Sequence, residues 1–254
     1  MLESPCFIIS DTHLGVAASS VERSLLAFLK ALPGNARSLL INGDLLEFWC
    51  EWRSDVPRAR LRVLAALADA RDAGVAVLWV AGNHDCWGGE VLRRDLGLEY
   101  QVGAWEGEIA GWRSRVEHGD GLRPVEDRGY RALRRVLRHP AAVRTFRWIH
   151  PDLGTSLASG SSHASRNYRA RDEGAGLRAI ALGALEARPD LDLLLYGHSH
   201  VPTMERAPAG SVYANAGSWL DAPTFLVVTP ERIELREWSD SAEGRRLHLL
   251  DRRA

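Results

Sequence analysis

Five short apolar runs, each closing on a compact polar cluster, constrain this chain more than any other feature of its sequence. The clusters are Asp11-Thr12-His13, Gly43-Asp44, Gly82-Asn83-His84-Asp85, His118-Gly119-Asp120 and Gly197-His198-Ser199-His200. An apolar run with no polar face reads as a strand buried on both sides, and amphipathic stretches between such runs read as the helices that cover a sheet. Ligands in open α/β sheets bind beyond the carboxyl ends of the strands, where these clusters fall. The pattern therefore predicts both an α/β fold and the place of its site.

Phe7 to Ser10, Leu39 to Asn42 and Val75 to Ala81 read as strands. Ser19, with Glu22 three residues on, offers a capping box for a helix to about Ala31. A second helix from about Pro57 to Ala73 places Leu61, Leu64, Ala65 and Ala68 on one face and stops at Gly74. Alternation from Glu108 to Glu117 suggests one strand. Val125 to Arg147 is arginine-rich and helical, with a break at His139-Pro140, and Asp152 to Asn167 is rich in serine and glycine. A helix from about Asp172 to Ala187 carries Leu177, Ile180, Ala181, Ala184 and Leu185 at helical spacing. Asp192 to Tyr196, Ser211 to Asn215, Phe225 to Thr229 and Arg232 to Trp238 read as further strands. Residues 124 to 171 break the strand rhythm and form the expected inserted subdomain.

Charge narrows the partners. Lysine plus arginine number 32 against 33 acidic residues, a net charge of −1, so the chain as a whole offers nucleic acid no electrostatic attraction. Any anion must be held locally. Three cysteines, Cys6, Cys50 and Cys86, form no paired motif and suggest reduced thiols in a cytoplasmic setting. No apolar run approaches the roughly 20 residues of a spanning helix, and the apolar patch Cys6 to Ile9 is too short for a signal peptide. Contact with a membrane would have to be peripheral. Oligomeric state is left open by the pattern.

The clusters supply two carboxylates, an amide and four imidazoles, beside His84, Asp85 and Asp120. That mixed nitrogen and oxygen set suits divalent transition metals better than calcium or magnesium alone. A serine-hydrolase reading fails because Gly217-Ser218-Trp219 has no Gly-x-Ser-x-Gly frame, and no Gly-x-x-x-x-Gly-Lys phosphate loop is present. Cys86 adjoins the clusters without any mark of a reactive thiolate, and Trp49 and Trp87 are candidates to wall the pocket.

The order Asp-x-His, Gly-Asp, Gly-Asn-His-Asp, His and Gly-His-x-His resembles the calcineurin-like metallophosphoesterase superfamily across nearly the whole chain. The resemblance implies a four-layer αββα sandwich of two mixed sheets, one metallophosphoesterase domain over residues 1–254, and a helical cap at about 124–171. It implies that Asp11, His13 and His200 hold one divalent ion, that Asn83, His118 and His198 hold a second, and that Asp44 bridges them. Manganese is the preferred ion, with zinc, iron or magnesium as substitutes. Two such ions, two carboxylates and a hydroxide leave about +1 at the site, attractive to phosphate, and the metal-bound hydroxide is then the nucleophile. His84 is left for the reaction itself, steadying the phosphorane or protonating the leaving oxygen. Asp85 and Asp120 are candidates to orient an imidazole.

Within the superfamily, His118-Gly119-Asp120-x-Leu122, Asp127-x-x-Tyr130, Arg134-Arg135, Arg138 and Pro140 resemble the UDP-2,3-diacylglucosamine hydrolases, which split a pyrophosphate to release UMP and lipid X. That resemblance implies substrate contacts from Asp127, Tyr130, Arg166 and Asn167, and a cap that holds acyl chains. Those hydrolases carry arginine at the position of His84, whereas general phosphomonoesterases and phosphodiesterases carry histidine. A general phosphoesterase on soluble substrates is thus the alternative. A non-catalytic scaffold, as in the retromer subunit of the same fold, is the third, opposed by the full set of seven ligand candidates.

Overall fold

The computed structural model describes residues 1–53, 55–57, 61–156, 174–239 and 243–252. Its first third alternates strand and helix: β1 (Cys6–Ile9), α1 (Ser19–Ala31), β2 (Ser38–Asn42), α2 (Leu61–Asp72) and β3 (Ala76–Ala81). The three strands pair in parallel, and β4 (Glu99–Val102) extends them in parallel on one side. On the other side, β10 (Thr224–Val228), β11 (Arg232–Glu237) and β12 (Arg245–Asp251) add antiparallel strands, giving a mixed seven-stranded sheet.

A second, five-stranded sheet runs in the order β5 (Trp105–Ile109), β6 (Trp112–Val116), β7 (Leu193–Leu195), β9 (Val212–Asn215) and β8 (Thr203–Arg206). It too is mixed, since β6, β7 and β9 are parallel while β5 and β8 are antiparallel edges.

The two-residue period of a strand explains how the layers stack. Phe7 and Ile9 of β1, Leu39 and Ile41 of β2, and Val77 and Trp79 of β3 turn outward into one apolar cluster with Leu25, Phe28 and Leu29 of α1 and Val63 and Leu67 of α2. The alternate residues Cys6, Ile8, Leu40, Leu78 and Val80 turn inward and meet Trp112, Val116, Leu193, Leu195, Val212 and Ala214 of the second sheet. Leu194 and Tyr213 face out again, onto Ala181 and Leu185 of helix α5 (Ala175–Ala187). Three clusters thus separate four layers, helix, sheet, sheet and helix. Each large apolar side chain so buried contributes about 1.5–3 kcal/mol of transfer free energy. Strands apolar on both faces are what this arrangement requires.

Between β6 and β7, α3 (Arg128–Leu137) and α4 (Pro140–Phe146) leave the sandwich. Their break is where the sequence places it: Pro140 opens α4, and the His139 side chain accepts from the Ala141 amide.

Four local expectations are corrected. The capping box is not formed, because the N-cap of α1 is Ala18 with no side-chain cap, and the Ser19 hydroxyl instead accepts from Arg23. Helix α2 buries Val63, Leu64, Ala66, Leu67 and Ala70, so its inward face is rotated from the expected one and Leu61 and Ala65 are exposed. Glu108 to Glu117 is not one strand but spans the turn of hairpin β5–β6, reversed at Ala110-Gly111, both with positive φ. Strands β4, β8 and β12 were not foreseen, since Thr203–Arg206 and Arg245–Asp251 are half polar and lie at an edge.

Candidate metal centre

All five clusters lie just past the carboxyl ends of parallel strands. Asp11 follows β1, Asp44 follows β2, Asn83 follows β3, His118 follows β6 and His198 follows β7. The two sheets bring these ends to one rim. Backbone bonds lock the loops together there: the Asp11 amide donates to Gly43 O at 3.1 Å, that of His13 to Asp44 O at 2.9 Å, and that of Gly197 to His118 O at 2.8 Å.

The loops are strained. Asp11, His13, Asp44, His198 and His200 all have φ between 48° and 62°, and among the described residues the only other non-glycine with positive φ is Ala110. A left-handed conformation costs a residue with a Cβ roughly 1–2 kcal/mol. Five such residues in one place mark a site that the surrounding fold holds in shape. Two glycines make that shape possible. A Cβ on Gly82 would lie 2.1 Å from Asp44 Oδ1, and one on Gly43 would lie 2.3 Å from His118 Nδ1.

The side chains converge in overlapping groups whose candidate ligand atoms lie within 4.8 Å of one another: Asp11, His13 and His200; Asp44, His118 and His198; and His13, Asp44 and His84. Each of four imidazoles has its Nδ1 turned outward to an acceptor. His13 Nδ1–H donates to Glu47 Oε2 at 2.9 Å, His118 Nδ1–H to Asn42 O at 2.9 Å, His84 Nδ1–H to Glu47 O at 2.8 Å, and His200 Nδ1–H to Asp221 Oδ2 at 3.3 Å. These bonds assign the tautomer that leaves each Nε2 lone pair for the interior. His13 Nε2 and His200 Nε2 are then 3.2 Å apart, and His200 Nε2 is 3.4 Å from Asp11 Oδ1.

This arrangement fits cations and little else. Asp11 Oδ1, Asn83 Oδ1 and His118 Nε2 are buried with no hydrogen-bond partner, although His118 Nε2 is 3.1 Å from Asp44 Oδ2. Burying acceptors without donors costs free energy unless something positive sits among them. Nitrogen and oxygen donors in this mixture suit divalent transition ions.

The protonation of the cluster agrees. Burial opposes a charge on His118, yet the Asp44 and Asp11 carboxylates outweigh it and hold its pKa well above the usual histidine range. His13 is likewise raised against burial, by Glu47, Asp44 and Asp11. Asp44 stays well below the ordinary carboxylate range despite burial, because His118, His84 and His13 surround it. His198 is lowered by burial and by His118, which keeps its ring neutral. Protons thus occupy the positions that cations would take, and the two compete.

Several neighbours act differently from expectation. Asp85 orients no imidazole: it accepts the amides of Gly82 at 2.7 Å and Leu45 at 2.9 Å, tying two site loops together, and burial with the nearby Asp44 pushes its carboxyl up to about 6. Asp120 likewise bonds no imidazole among the described residues. It accepts from Tyr130 Oη at 2.7 Å and Arg138 Nη2 at 3.0 Å and pairs with Arg134 Nε at 3.2 Å, pinning α3 to the rim, while Arg138 also donates to Gly82 O at 3.2 Å. The Asp127 carboxylate is buried and engaged by Arg123, with Arg123 Nη2 at 2.7 Å, so it braces the entry to α3. Arg166 and Asn167 lie outside the described residues. Trp49 is fully buried in the helix-facing core and walls no pocket. Trp87 packs against Phe146 of α4 with ring centroids 4.6 Å apart and planes at 59°, and donates to Leu137 O at 2.9 Å, joining the rim to the helical segment. Burial pushes the Cys86 thiol up to about 11, so it is no thiolate.

Glu47 and Asp221 were missed. Glu47 lies three residues past Asp44, and only the fold turns it back onto His13.

The calcineurin-like phosphoesterase family model matches residues 5–202, a span that includes all five clusters. UDP-2,3-diacylglucosamine hydrolase of Porphyromonas gingivalis (strain ATCC BAA-308 / W83) is 29% identical over 221 residues, covering 79% of this chain and 84% of the relative. The hydrolase of the same name from Yersinia pestis bv. Antiqua (strain Angola) is 25% identical over 232 residues, covering 89% of this chain and 96% of the relative. Among solved structures, a dimetal phosphatase from Danio rerio aligns over 98% of this chain and 100% of that chain, at 12% identity and a TM-score of 0.47.

Proposed function

Since the chain belongs to the calcineurin-like phosphoesterase family and is a metal-dependent phosphohydrolase, we propose that it uses two divalent cations to cleave the pyrophosphate of a nucleotide-linked lipid such as UDP-2,3-diacylglucosamine, giving UMP and lipid X. The observation that carries the two-cation reading is the pair of ligand groups, Asp11 with His13 and His200 and Asp44 with His118 and His198, beside the buried acceptors Asp11 Oδ1 and Asn83 Oδ1 that lack a hydrogen-bond donor. Asp11, His13 and His200 would hold one cation and Asn83, His118 and His198 the other, with Asp44 common to both sets. Manganese is the ion we assign, zinc, iron and magnesium being compatible with the same donors. Bound there, such ions lower the pKa of coordinated water to near neutrality and draw charge from the phosphoryl oxygens.

The chain's own residues do the rest. His84 is fixed twice: its amide donates to Asp44 Oδ1 at 2.9 Å and its ring Nδ1–H to Glu47 O. With Nδ1–H held by Glu47 O, the ring would act as the imidazolium, carrying a second proton on Nε2 that it would give to the departing oxygen. Asp127 and Tyr130, together with Arg166 and Asn167, are assigned to substrate contact, and the segment at about 124–171 to a cap over the cleft within the single domain 1–254. Relatives bearing the hydrolase name over 79% and 89% of this chain support the lipid nucleotide as substrate.

The working place we assign is the cytoplasm, with peripheral contact to the inner face of a membrane. No helix among the described residues is long and apolar enough to cross one. Residues 128–151 carry seven arginines and no acidic residue, and Leu133, Val136 and Trp148 stand exposed among them, a surface suited to anionic lipid.

A second reading, a general phosphodiesterase or phosphomonoesterase, is favoured by one observation, histidine at position 84. Turnover of UDP-2,3-diacylglucosamine, a generic aryl diester and an aryl monophosphate, compared side by side with Mn²⁺, separates the two. A preference of at least about a hundredfold for the lipid nucleotide, roughly 3 kcal/mol of discrimination, is expected. Equal or better turnover of the soluble esters would overturn the lipid assignment.

A further inference from the structure

We infer that Glu47 is the positioning residue of this centre, fixing the metal-facing ring of His13 with its carboxylate and the ring of His84 with its main-chain carbonyl. The inference rests on the two-cation reading and deepens it.

The loop from Asp44 to Glu47 is held in place independently of its side chains. The Leu14 amide donates to Leu45 O at 3.0 Å and the Glu47 amide to Leu14 O at 3.0 Å, so that Leu14 and Leu46 form a parallel bridge. That bridge lays Glu47 against the Asp-x-His loop. Its carboxylate, 5% exposed, accepts from His13 Nδ1 at 2.9 Å, and its carbonyl oxygen accepts from His84 Nδ1 at 2.8 Å. Two imidazoles that have different tasks are therefore referenced to one residue. Their rings stand edge to face, with centroids 5.0 Å apart and planes at 85°.

The consequence is geometric. With Nδ1–H of His13 spent on Glu47, the ring can present only Nε2 to Asp11, Asp44 and His200, and it cannot rotate without breaking its bond to that buried carboxylate. Leu14, Leu45, Leu46 and Trp49, all fully or nearly fully buried, belong to one apolar cluster that anchors that loop. The second atom of the carboxylate, Oε1, lies 4.0 Å from His84 Nδ1, so the same group also faces the ring beside the reacting phosphorus. The bond to His84 uses the main chain and survives any substitution of the side chain. Substituting Glu47 removes the charge beside both rings, but a Mn²⁺ titration reads the His13 arm, because His84 is not among the assigned ligands.

The test is direct titration of wild type, Glu47→Gln, His13→Ala and the double variant with Mn²⁺, read as free Mn²⁺ by electron paramagnetic resonance, beside the thermal midpoint of each metal-free protein. Glutamine keeps the size and an acceptor oxygen, so the variant folds if any does. One of the two Mn²⁺ is expected to bind 10–100-fold more weakly in Glu47→Gln, with the other unchanged. His13→Ala and the double variant are expected to bind alike, because the carboxylate acts through the ring. Wild-type affinity in Glu47→Gln, or a further loss in the double variant over His13→Ala, would overturn the assignment of Glu47 while leaving the two-cation reading intact. Failure of the wild type to bind Mn²⁺ would overturn both.

Discussion

His13 and His200 approach with their Nε2 atoms 3.2 Å apart, each ring held from behind by a carboxylate, Glu47 on one side and Asp221 on the other. Two lone pairs so placed repel unless a cation lies between them or one ring takes a proton. The centre is thus built in an electrostatically incomplete state, and its remaining properties follow from how that deficit is met.

Metal and turnover should part company at His84 and fall together at Asp44. Asp44→Ala removes the carboxylate common to both ligand groups, so bound Mn²⁺ should drop below two per chain. The loss of about 4 kcal/mol of charge stabilisation corresponds to roughly a 10³-fold fall in turnover. His84→Ala should keep two Mn²⁺ per chain and lose about 10²–10⁴ in kcat. Elemental analysis alongside steady-state rates checks both. Full turnover in the first variant, or metal loss in the second, contradicts these roles.

The metal-free protein should be destabilised by alkali. His13 and His118 have pKa values raised in the fold, so their contribution is complete below the unfolded value of 6.5 and is lost as pH rises through the folded ones. Asp44 is lowered, so its contribution is present above the unfolded 3.8 and disappears only as pH falls well below that. Melting curves of chelator-treated protein should therefore decline in midpoint above about pH 6.5. Saturating Mn²⁺ should cancel the decline, since deprotonated rings bind it better. A metal-free midpoint that climbs from pH 6 to 9 contradicts this charge assignment.

Asp120 should act on the helical segment rather than on the metals. Its carboxylate is 2% exposed and serves Tyr130, Arg134 and Arg138 together. Asp120→Ala leaves these partners without their acceptor, and a loss of roughly 3 kcal/mol is expected, read as a lower midpoint of chemical unfolding. Mn²⁺ stoichiometry should stay at two, while KM for the lipid nucleotide rises. Unchanged KM with unchanged stability would show that this network pins nothing.

The layered fold was legible in the sequence because its strands are buried on both faces: Cys6–Ile9, Ser38–Asn42 and Ala76–Ala81 are apolar almost throughout. The ligand candidates were legible because each follows closely on such a strand. An edge strand such as Arg245–Asp251 was not, since five of its seven residues are exposed and none is fully buried, so no apolar alternation marks it. Nor were the residues that orient the rings. Glu47 Oε2 reaches His13 across a separation of 34 residues, and Asp221 reaches His200 from the turn after β9, so no local spacing encodes them. Asp85 and Asp120, adjacent to the clusters in sequence, were assigned that work by proximity alone, and the fold uses them to join loops and to anchor α3.

The approach of Gly82 to Asp44 gives a last prediction, one that separates steric exclusion from backbone strain. Gly82 does not have a positive φ, so alanine there meets no conformational penalty; its Cβ would instead lie 2.1 Å from Asp44 Oδ1 and 2.7 Å from Asp44 N. The carboxylate has no retreat, because it is buried and its Oδ1 already accepts the His84 amide. Gly82→Ala should therefore displace Asp44 and weaken Mn²⁺ binding by at least about tenfold, on the scale of losing a ligand's support. Gly74 is the complement. It has φ +93° and open space within 4 Å of where a methyl would stand, so Gly74→Ala is strained and unobstructed, and should cost about 1–2 kcal/mol of stability while leaving metal content and turnover as in the wild type. Isothermal titration with Mn²⁺ and urea unfolding on both variants resolve the two effects. Tight two-ion binding in Gly82→Ala would mean that Asp44 can move aside without loss, and that the bridging position rests on some other residue.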